Sequence, residues 1–391
     1  PVAQLLPSGY LSTQGNQIVG HRSGPPYVRI AAVGWYGQNG LDSNEPVGLD
    51  GPYKTIQANV DAMRSAGFNT VTIGWNNASL HDSDRNTYLA GIDDVVRAAG
   101  RDGLKVILNH HVDEGSAGNG NCLAQQENGL WYDSGPGTDE TDGCGTKGTV
   151  TQESFKADWL TFAKRYAGNS TVIGFDLDNE PAAYPGMSTW GDGGVRDIRQ
   201  MYSTVGSALE AADPGVLIIC EGPQNYNGTF TNAPGATSPE GDLTMVPTKP
   251  VTLTVHGRPV TNKVVYSVHE YPNEIAGIGQ DSGPAAIARY NAVWGQVVKD
   301  NIAPVWIGEA GSSMTTNPDD KDWADTLTDY INGKDGAQGG PTFSYPHQPI
   351  GATWWAWGYR PNDIPNCTLN EDGSLRQVQY DVYHRWQPVS R

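Results

Sequence analysis

The stretch Ile173-Gly174-Phe175-Asp176-Leu177-Asp178-Asn179-Glu180-Pro181 decides how this chain is read. Its first half is a short apolar run of strand character, closed by Asn179-Glu180-Pro181. A carboxylate just past the C-terminal end of a buried strand lies where parallel barrels carry their chemistry. The arrangement returns at Val305-Trp306-Ile307-Gly308-Glu309. Two glutamates, each closing a strand, suit hydrolysis of a glycosidic bond. One protonates the leaving oxygen, while the other attacks the anomeric carbon from about 5–5.5 Å away. Asn179 is placed to hydrogen-bond a sugar 2-hydroxyl.

Outward from these segments, short apolar strands alternate with amphipathic helices. The strands are Val28–Gly34, Thr70–Trp75, Lys105–Asn109, Val172–Leu177, Val216–Cys220, Val264–Val268, Pro304–Gly308 and Ile350–Trp355. Between them the period becomes helical: Ile56, Val60 and Met63 share a face, as do Leu89, Ile92 and Val96, and Phe155, Trp159, Phe162 and Tyr166. Eight strands with helical crossovers predict an α/β fold, a (β/α)8 TIM barrel. No linker or internal repeat interrupts the pattern, so residues 1–391 form one catalytic domain. Three long connections run from about Val112 to Val150, Glu221 to Asn262 and Asn332 to Pro349. The first two leave the C-terminal ends of strands, where loops carry specificity.

The net charge is −18, from 43 acidic and 25 basic residues, which argues against nucleic acid as a partner and for a soluble monomer. The 12 Trp and 18 Tyr against 6 Phe favour half-wet stacking surfaces. Cys122, Cys144, Cys220 and Cys367 form no CxxC pair, so no zinc site is expected. Cys220 reads as a buried free thiol. Cys122 and Cys144 flank a Gly-rich polar loop, which fits a disulfide and a secreted protein. No apolar run reaches the roughly 18 residues of a membrane span. The chain begins at Pro1 with no visible signal peptide, which suggests a processed N-terminus. Asp82, Asp84, Asn86 and Asp93 are spaced like calcium-loop ligands, but Thr87 stands where the sharp turn wants glycine, so the run reads as a helix start. Asn77, Asn169, Asn227 and Asn366 open glycosylation-like triplets.

Over nearly its whole length the chain resembles glycoside hydrolase family 5, in its cellulase branch. The likeness rests on Gly34-Trp35-Tyr36-Gly37, Leu108-Asn109-His110-His111, Gly174-Phe175-Asp176-Leu177 with Asn179-Glu180-Pro181, Glu221-Gly222, Val265-Tyr266-Ser267 with His269 and Tyr271, Pro304-Val305-Trp306 with Gly308-Glu309, and Trp354-Trp355-Ala356-Trp357. The resemblance implies retaining hydrolysis of β-1,4-glucan with no cofactor. Glu180 would be the acid/base and Glu309 the nucleophile. Tyr271 would hold Glu309, and His269 would sit beside Glu180. His111 occupies the family's histidine position. Trp355 would floor the sugar at the cleaved bond, and Trp35 would stack a sugar further out. Trp75, which stands where the family more often has a small polar turn, is a further stacking candidate of this chain, as are Trp131 and Trp357. The chain departs from the family at Thr72, where an arginine near the nucleophile is usual. His110 or His111 is expected to supply the missing positive charge.

Other readings are a β-mannanase or related β-glycan hydrolase, a metal-dependent barrel hydrolase using His110, His111 and His269, and a catalytically weakened sugar-binding barrel. The connection holding Cys122, Trp131, Tyr132 and Cys144 is expected to wall one end of the cleft and favour release of cellobiose-like products from chain ends.

Overall fold

The computed structural model describes residues 3–20, 27–39, 44–113, 126, 128–138, 148–224, 241–276, 281–315, 317–360 and 366–388. Eight strands form a closed parallel barrel: β1 Ala31–Trp35, β2 Thr70–Asn76, β3 Lys105–Val112, β4 Val172–Asp176, β5 Leu217–Glu221, β6 Val264–Glu270, β7 Val305–Ala310 and β8 Ala352–Trp355. Each pairs with its neighbour in chain order, and β8 returns to β1 with Trp355 opposite Gly34. All eight expected strands are present. Val28–Gly34 is the one that splits. Tyr27–Val28 joins an antiparallel sheet with Leu11–Gln14 and Gln17–Gly20. The Asn69 side chain explains the break: it accepts from the Ala31 N–H and donates to the Arg29 carbonyl, in place of ladder bonds.

Among the described residues, the helices of seven residues or more are α1 Ile56–Ser65, α2 Arg85–Asp102, α3 Gln152–Tyr166, α4 Ile198–Ala212, α5 Gly283–Tyr290, α6 Asn317–Asn332 and α7 Gln377–Tyr383. Their starts follow from local chemistry. The Thr55 hydroxyl caps the Ala58 N–H of α1, and Thr151 and Ser154 form a reciprocal capping box on α3. Val60 and Met63 of α1, Leu89, Ile92 and Val96 of α2, and Phe155, Trp159, Phe162 and Tyr166 of α3 are buried as the periodicity requires. The calcium-like spacing is a helix start: Asp84 precedes α2, and Asp93 is bound by Arg165 and Tyr166 at 2.8 Å each.

One apolar cluster fills the space between barrel and helices. A second plugs the barrel's lower half, where Ile107, Ile173, Leu217, Ile219, Val265 and Trp306 meet Leu6, Leu11 and Ile18 of the N-terminal segment. The bottom is closed, so chemistry is confined to the C-terminal mouth. No described helix is long and apolar enough to cross a membrane. Cys220 is a buried free thiol, as expected. Cys122 and Cys144 lie outside the described residues, as does Asn227.

Candidate active site

Each strand end delivers its side chain through a local device. Past β4 the chain turns back on itself at Glu180, whose φ is +50°, a left-handed conformation unusual for a non-glycine residue. On β6, alternation sends His269 and Tyr271 into the mouth. Glu270 points outward, where Arg289 binds it at 3.2 and 3.0 Å. On β7 the pairing with β6 skips Gly308, so Val268 faces Ile307 but His269 faces Glu309. This bulge re-aims Glu309 into the mouth. Only glycine fits at 308, because a Cβ there would stand 2.5 Å from Ser267 Oγ and 3.2 Å from His269 Nε2. Gly34 has a similar role. A Cβ at 34 would stand 2.1 Å from the Trp355 ring, which lies across β1.

These devices converge. His269 Nδ1 is 2.9 Å from Glu180 Oε1 and 3.6 Å from Glu309 Oε2. One oxygen of each glutamate and a nitrogen of His269 lie within 4.8 Å of one another. The Tyr271 hydroxyl donates to Glu309 Oε2 at 2.7 Å. The His111 ring stacks on Trp355 at 6.1 Å and 13°, and its Nδ1 lies 3.2 Å from Asn109 Oδ1. The Asn179 N–H donates to the His110 carbonyl at 2.8 Å, tying the acid/base segment to β3.

Burial, and then repulsion from Glu180, push the Glu309 carboxyl up to about 7, against the pull of His269 and the Tyr271 hydroxyl. Burial alone would lower the His269 imidazole, but Glu221, Glu309 and Glu180 outweigh it and hold the ring protonated well above its ordinary range. Among the described residues, Glu180, His269 and Glu309 are the group close enough together to hold a metal ion. An imidazolium whose two nitrogens both face carboxylates offers no lone pair to one.

Removing the tyrosine hydroxyl reads this electrostatics directly. Tyr271→Phe takes a donor from Glu309, which costs the ionised form more than the neutral one. The acidic limb of kcat/KM should move to higher pH by about one unit. An unchanged limb would show that the hydroxyl does not bear on the carboxylate.

Several expectations need correction. Thr72 does stand on β2, but His110 does not supply the positive charge expected near Glu309. His110 points out of the barrel, fully buried, to Asp178 at 2.9 Å, Asn77 at 2.7 Å and Asp113 at 3.4 Å. The imidazole facing Glu309 is His269. The set His110, His111 and His269 is therefore no metal centre, because the alternation of β3 sends the two adjacent histidines to opposite faces. Trp75 and Trp357 are 0% exposed, Trp35 1% and Trp131 2%, so none offers a ring face to a sugar. Trp75 packs on Trp159 and Phe162 in the helix layer. Trp357 donates to Asn59, and Trp35 to the Val47 carbonyl. Trp131 packs against Tyr132, whose hydroxyl donates to the Pro136 and Val195 carbonyls. Trp355 alone of the five is half-exposed. Glu221 is among the residues that carry the resemblance, but sequence reasoning gave it no role. It is fully buried at the end of β5, its Oε2 accepts from the Glu180 N–H at 2.8 Å, and it lies 3.4 Å from His269 Nε2. It closes its strand just as Glu180 and Glu309 close theirs, and that was the available signal.

A closed (β/α)8 barrel whose mouth pairs two strand-end glutamates around a histidine is the architecture of a glycoside hydrolase. The family model Cellulase (glycosyl hydrolase family 5) matches residues 31–360, and the chain belongs to that family. An endoglucanase from Paenibacillus polymyxa is 30% identical over 347 residues, covering 83% of this chain and 77% of that protein. The major extracellular endoglucanase of Xanthomonas campestris is 25% identical, covering 81% of this chain and 59% of its own length. This chain thus spans little more than half of that longer relative. In fold it is similar to an endocellulase from Pyrococcus horikoshii solved in complex with cellotetraose, with a TM-score of 0.73 and 21% identity over 96% of this chain and 98% of that one.

Proposed function

We propose that this chain hydrolyses β-1,4-glucosidic bonds in cellulose or related β-glucans with retention of configuration. Glu309 is the nucleophile and Glu180 the acid/base. The observation that carries this is the spacing: an oxygen of Glu180 and one of Glu309 lie within 4.8 Å. That separation suits direct attack by a carboxylate, whereas an inverting pair stands about 6.5–9.5 Å apart to admit a water. Glu309 attacks the anomeric carbon while Glu180 gives its proton to the leaving oxygen. A glycosyl ester on Glu309 results. Glu180, now a carboxylate, takes a proton from water, which attacks the same carbon and releases Glu309. The half-exposed Trp355 floors the sugar at the bond, and Asn179 meets its 2-hydroxyl.

The relatives' names favour glucan over mannan and cutting within chains, and the Xanthomonas relative's name favours action outside the cell. Incubation with a panel of soluble β-glucans and mannans tests the substrate: reducing ends should appear from β-1,4-glucan. Turnover of mannan alone would overturn the assignment, and turnover of nothing would favour a binding barrel.

The connection after β3 bears on cutting mode. Its described part is anchored beside the loop after β4, with Leu130, Trp131 and Tyr132 buried. If it walls the cleft, replacing residues 115–148 with a short turn should raise viscosity loss per reducing end released. Equal ratios in both forms would show that this loop does not govern chain-end against internal cutting.

A further inference from the structure

Three glutamates, not two, converge on His269, and the hydrolytic steps use only two. Glu221 closes β5 in full burial. Its Oε2 accepts from the Glu180 N–H at 2.8 Å and lies 3.4 Å from His269 Nε2. Its backbone carbonyl is held by the Tyr202 hydroxyl at 2.8 Å, which fixes where the side chain starts. Its Oε1 is buried without a hydrogen-bond partner, so Oε2 carries its contacts to Glu180 and His269. On the far side of the ring, His269 Nδ1 faces Glu180 at 2.9 Å and Glu309 at 3.6 Å.

We infer that Glu221 is a positioning residue for the hydrolytic site: one of its oxygens holds the Glu180 backbone in its left-handed turn and faces the far nitrogen of His269, so that the near nitrogen is aimed between Glu180 and Glu309. This rests on the roles proposed above for those two glutamates. The physical need is clear from Glu180, whose φ of +50° is a conformation that something must hold. A buried carboxylate on its N–H does so. The need for charge is equally specific. Thr72 on β2 carries no charge; among the described residues the ring facing Glu309 is His269, and an imidazolium persists in a buried site when carboxylates flank it. The charged groups facing His269 are Glu180, Glu221, Glu309 and Asp176. Those facing Glu221 are His269, Glu180 and Asp176: burial raises the Glu221 carboxyl well above its ordinary range, and the His269 ring at 3.4 Å pulls it back toward the charged form.

Glu221→Gln separates the two duties. The amide oxygen can still accept from the Glu180 N–H, but the ionisable carboxyl opposite His269 is gone. The imidazolium is then less favoured, and Glu309 loses its cation and becomes harder to ionise. An activated aryl cellobioside needs no proton in its first step, so its kcat/KM reads Glu309. For this substrate the acidic limb should move to higher pH by about one unit. On cellotetraose at neutral pH, kcat should fall about tenfold with KM within about twofold. Glu221→Ala also removes the backbone acceptor and should lose more on cellotetraose. A folded Glu221→Gln enzyme with an unmoved acidic limb would overturn the inference.

Nitrogen NMR of ¹⁵N-histidine-labelled wild-type enzyme needs no variant at residue 221. With the His269 signals assigned by their loss in His269→Asn, both ring nitrogens should stay protonated through neutral pH. A neutral tautomer there would overturn the inference equally. Glu180→Ala serves as the control. If it discriminates between leaving groups while Glu221→Gln behaves as wild type, only the role of Glu221 falls. If it does not discriminate, the assignment of Glu180 itself falls.

Discussion

Glu309→Ala should lose activity on every substrate, by on the order of 10⁵-fold in kcat, because no other group replaces the attacking carboxylate. Glu180→Ala should behave differently. On cellotetraose, whose leaving oxygen needs a proton, kcat should fall by about 10²–10⁴-fold. On an aryl cellobioside with a good leaving group, the first step needs no proton and should survive within about tenfold. The geometry gives the reason for the asymmetry. Tyr271 donates to Glu309 at 2.7 Å and favours its ionised form, while Glu180 faces His269 Nδ1 at 2.9 Å on the other side of the mouth. Steady-state rates of the two variants on the two substrates decide the matter. Equal losses on both leaving groups would mean that the roles are misassigned.

The second large effect is on stability. His110 is fully buried among Asp178, Asp113 and Asn77, with Phe155 and Trp75 against its ring. Burial works to lower its pKa, but the hydrogen bonds and charges of Asp113 and Asp178 outweigh burial and raise it to about 9. His110→Ala strands two buried aspartates, and removing one partner of a buried ionic cluster costs about 3–5 kcal/mol. The pH dependence has a definite sign. The folded-state pKa lies above the ordinary value, so the histidine's contribution is fully present below about 6.5 and is lost as pH rises through about 9. Urea denaturation should therefore find the gap between wild type and His110→Ala wider at pH 6 than at pH 9.5. A gap that does not narrow would contradict a protonated His110. The acidic limb of activity should not follow this residue, because its contacts lie outside the barrel.

Much of the barrel was legible in the sequence because parallel strands buried on both faces read as continuous apolar runs. Val28–Gly34 misled because the pairing it lacks is supplied by a side chain, Asn69, several strands' worth of sequence away. The site was legible where one residue closes one strand, as at Glu180 and Glu309. It was misread where proximity in sequence stood in for direction in space. His110 and His111 are neighbours, but a strand points them apart, and only His111 meets Trp355. Trp75 and Trp357 fail for a related reason: abundant tryptophan near strand ends also serves the helix layer. Glu221 obeyed the rule that found the other two glutamates. It lacked the Asn before and Pro after that drew attention to Glu180. The pairing of Cys122 and Cys144 falls on residues outside the described set.

The configuration of the first product bears most directly on the pairing of Glu180 with Glu309. Proton NMR during the first minutes of cellotetraose hydrolysis, before mutarotation equilibrates the sugars, should show the β-anomer of the newly formed reducing end rising first. An α-anomer appearing first would mean direct attack by water, and Glu309 would not be a nucleophile.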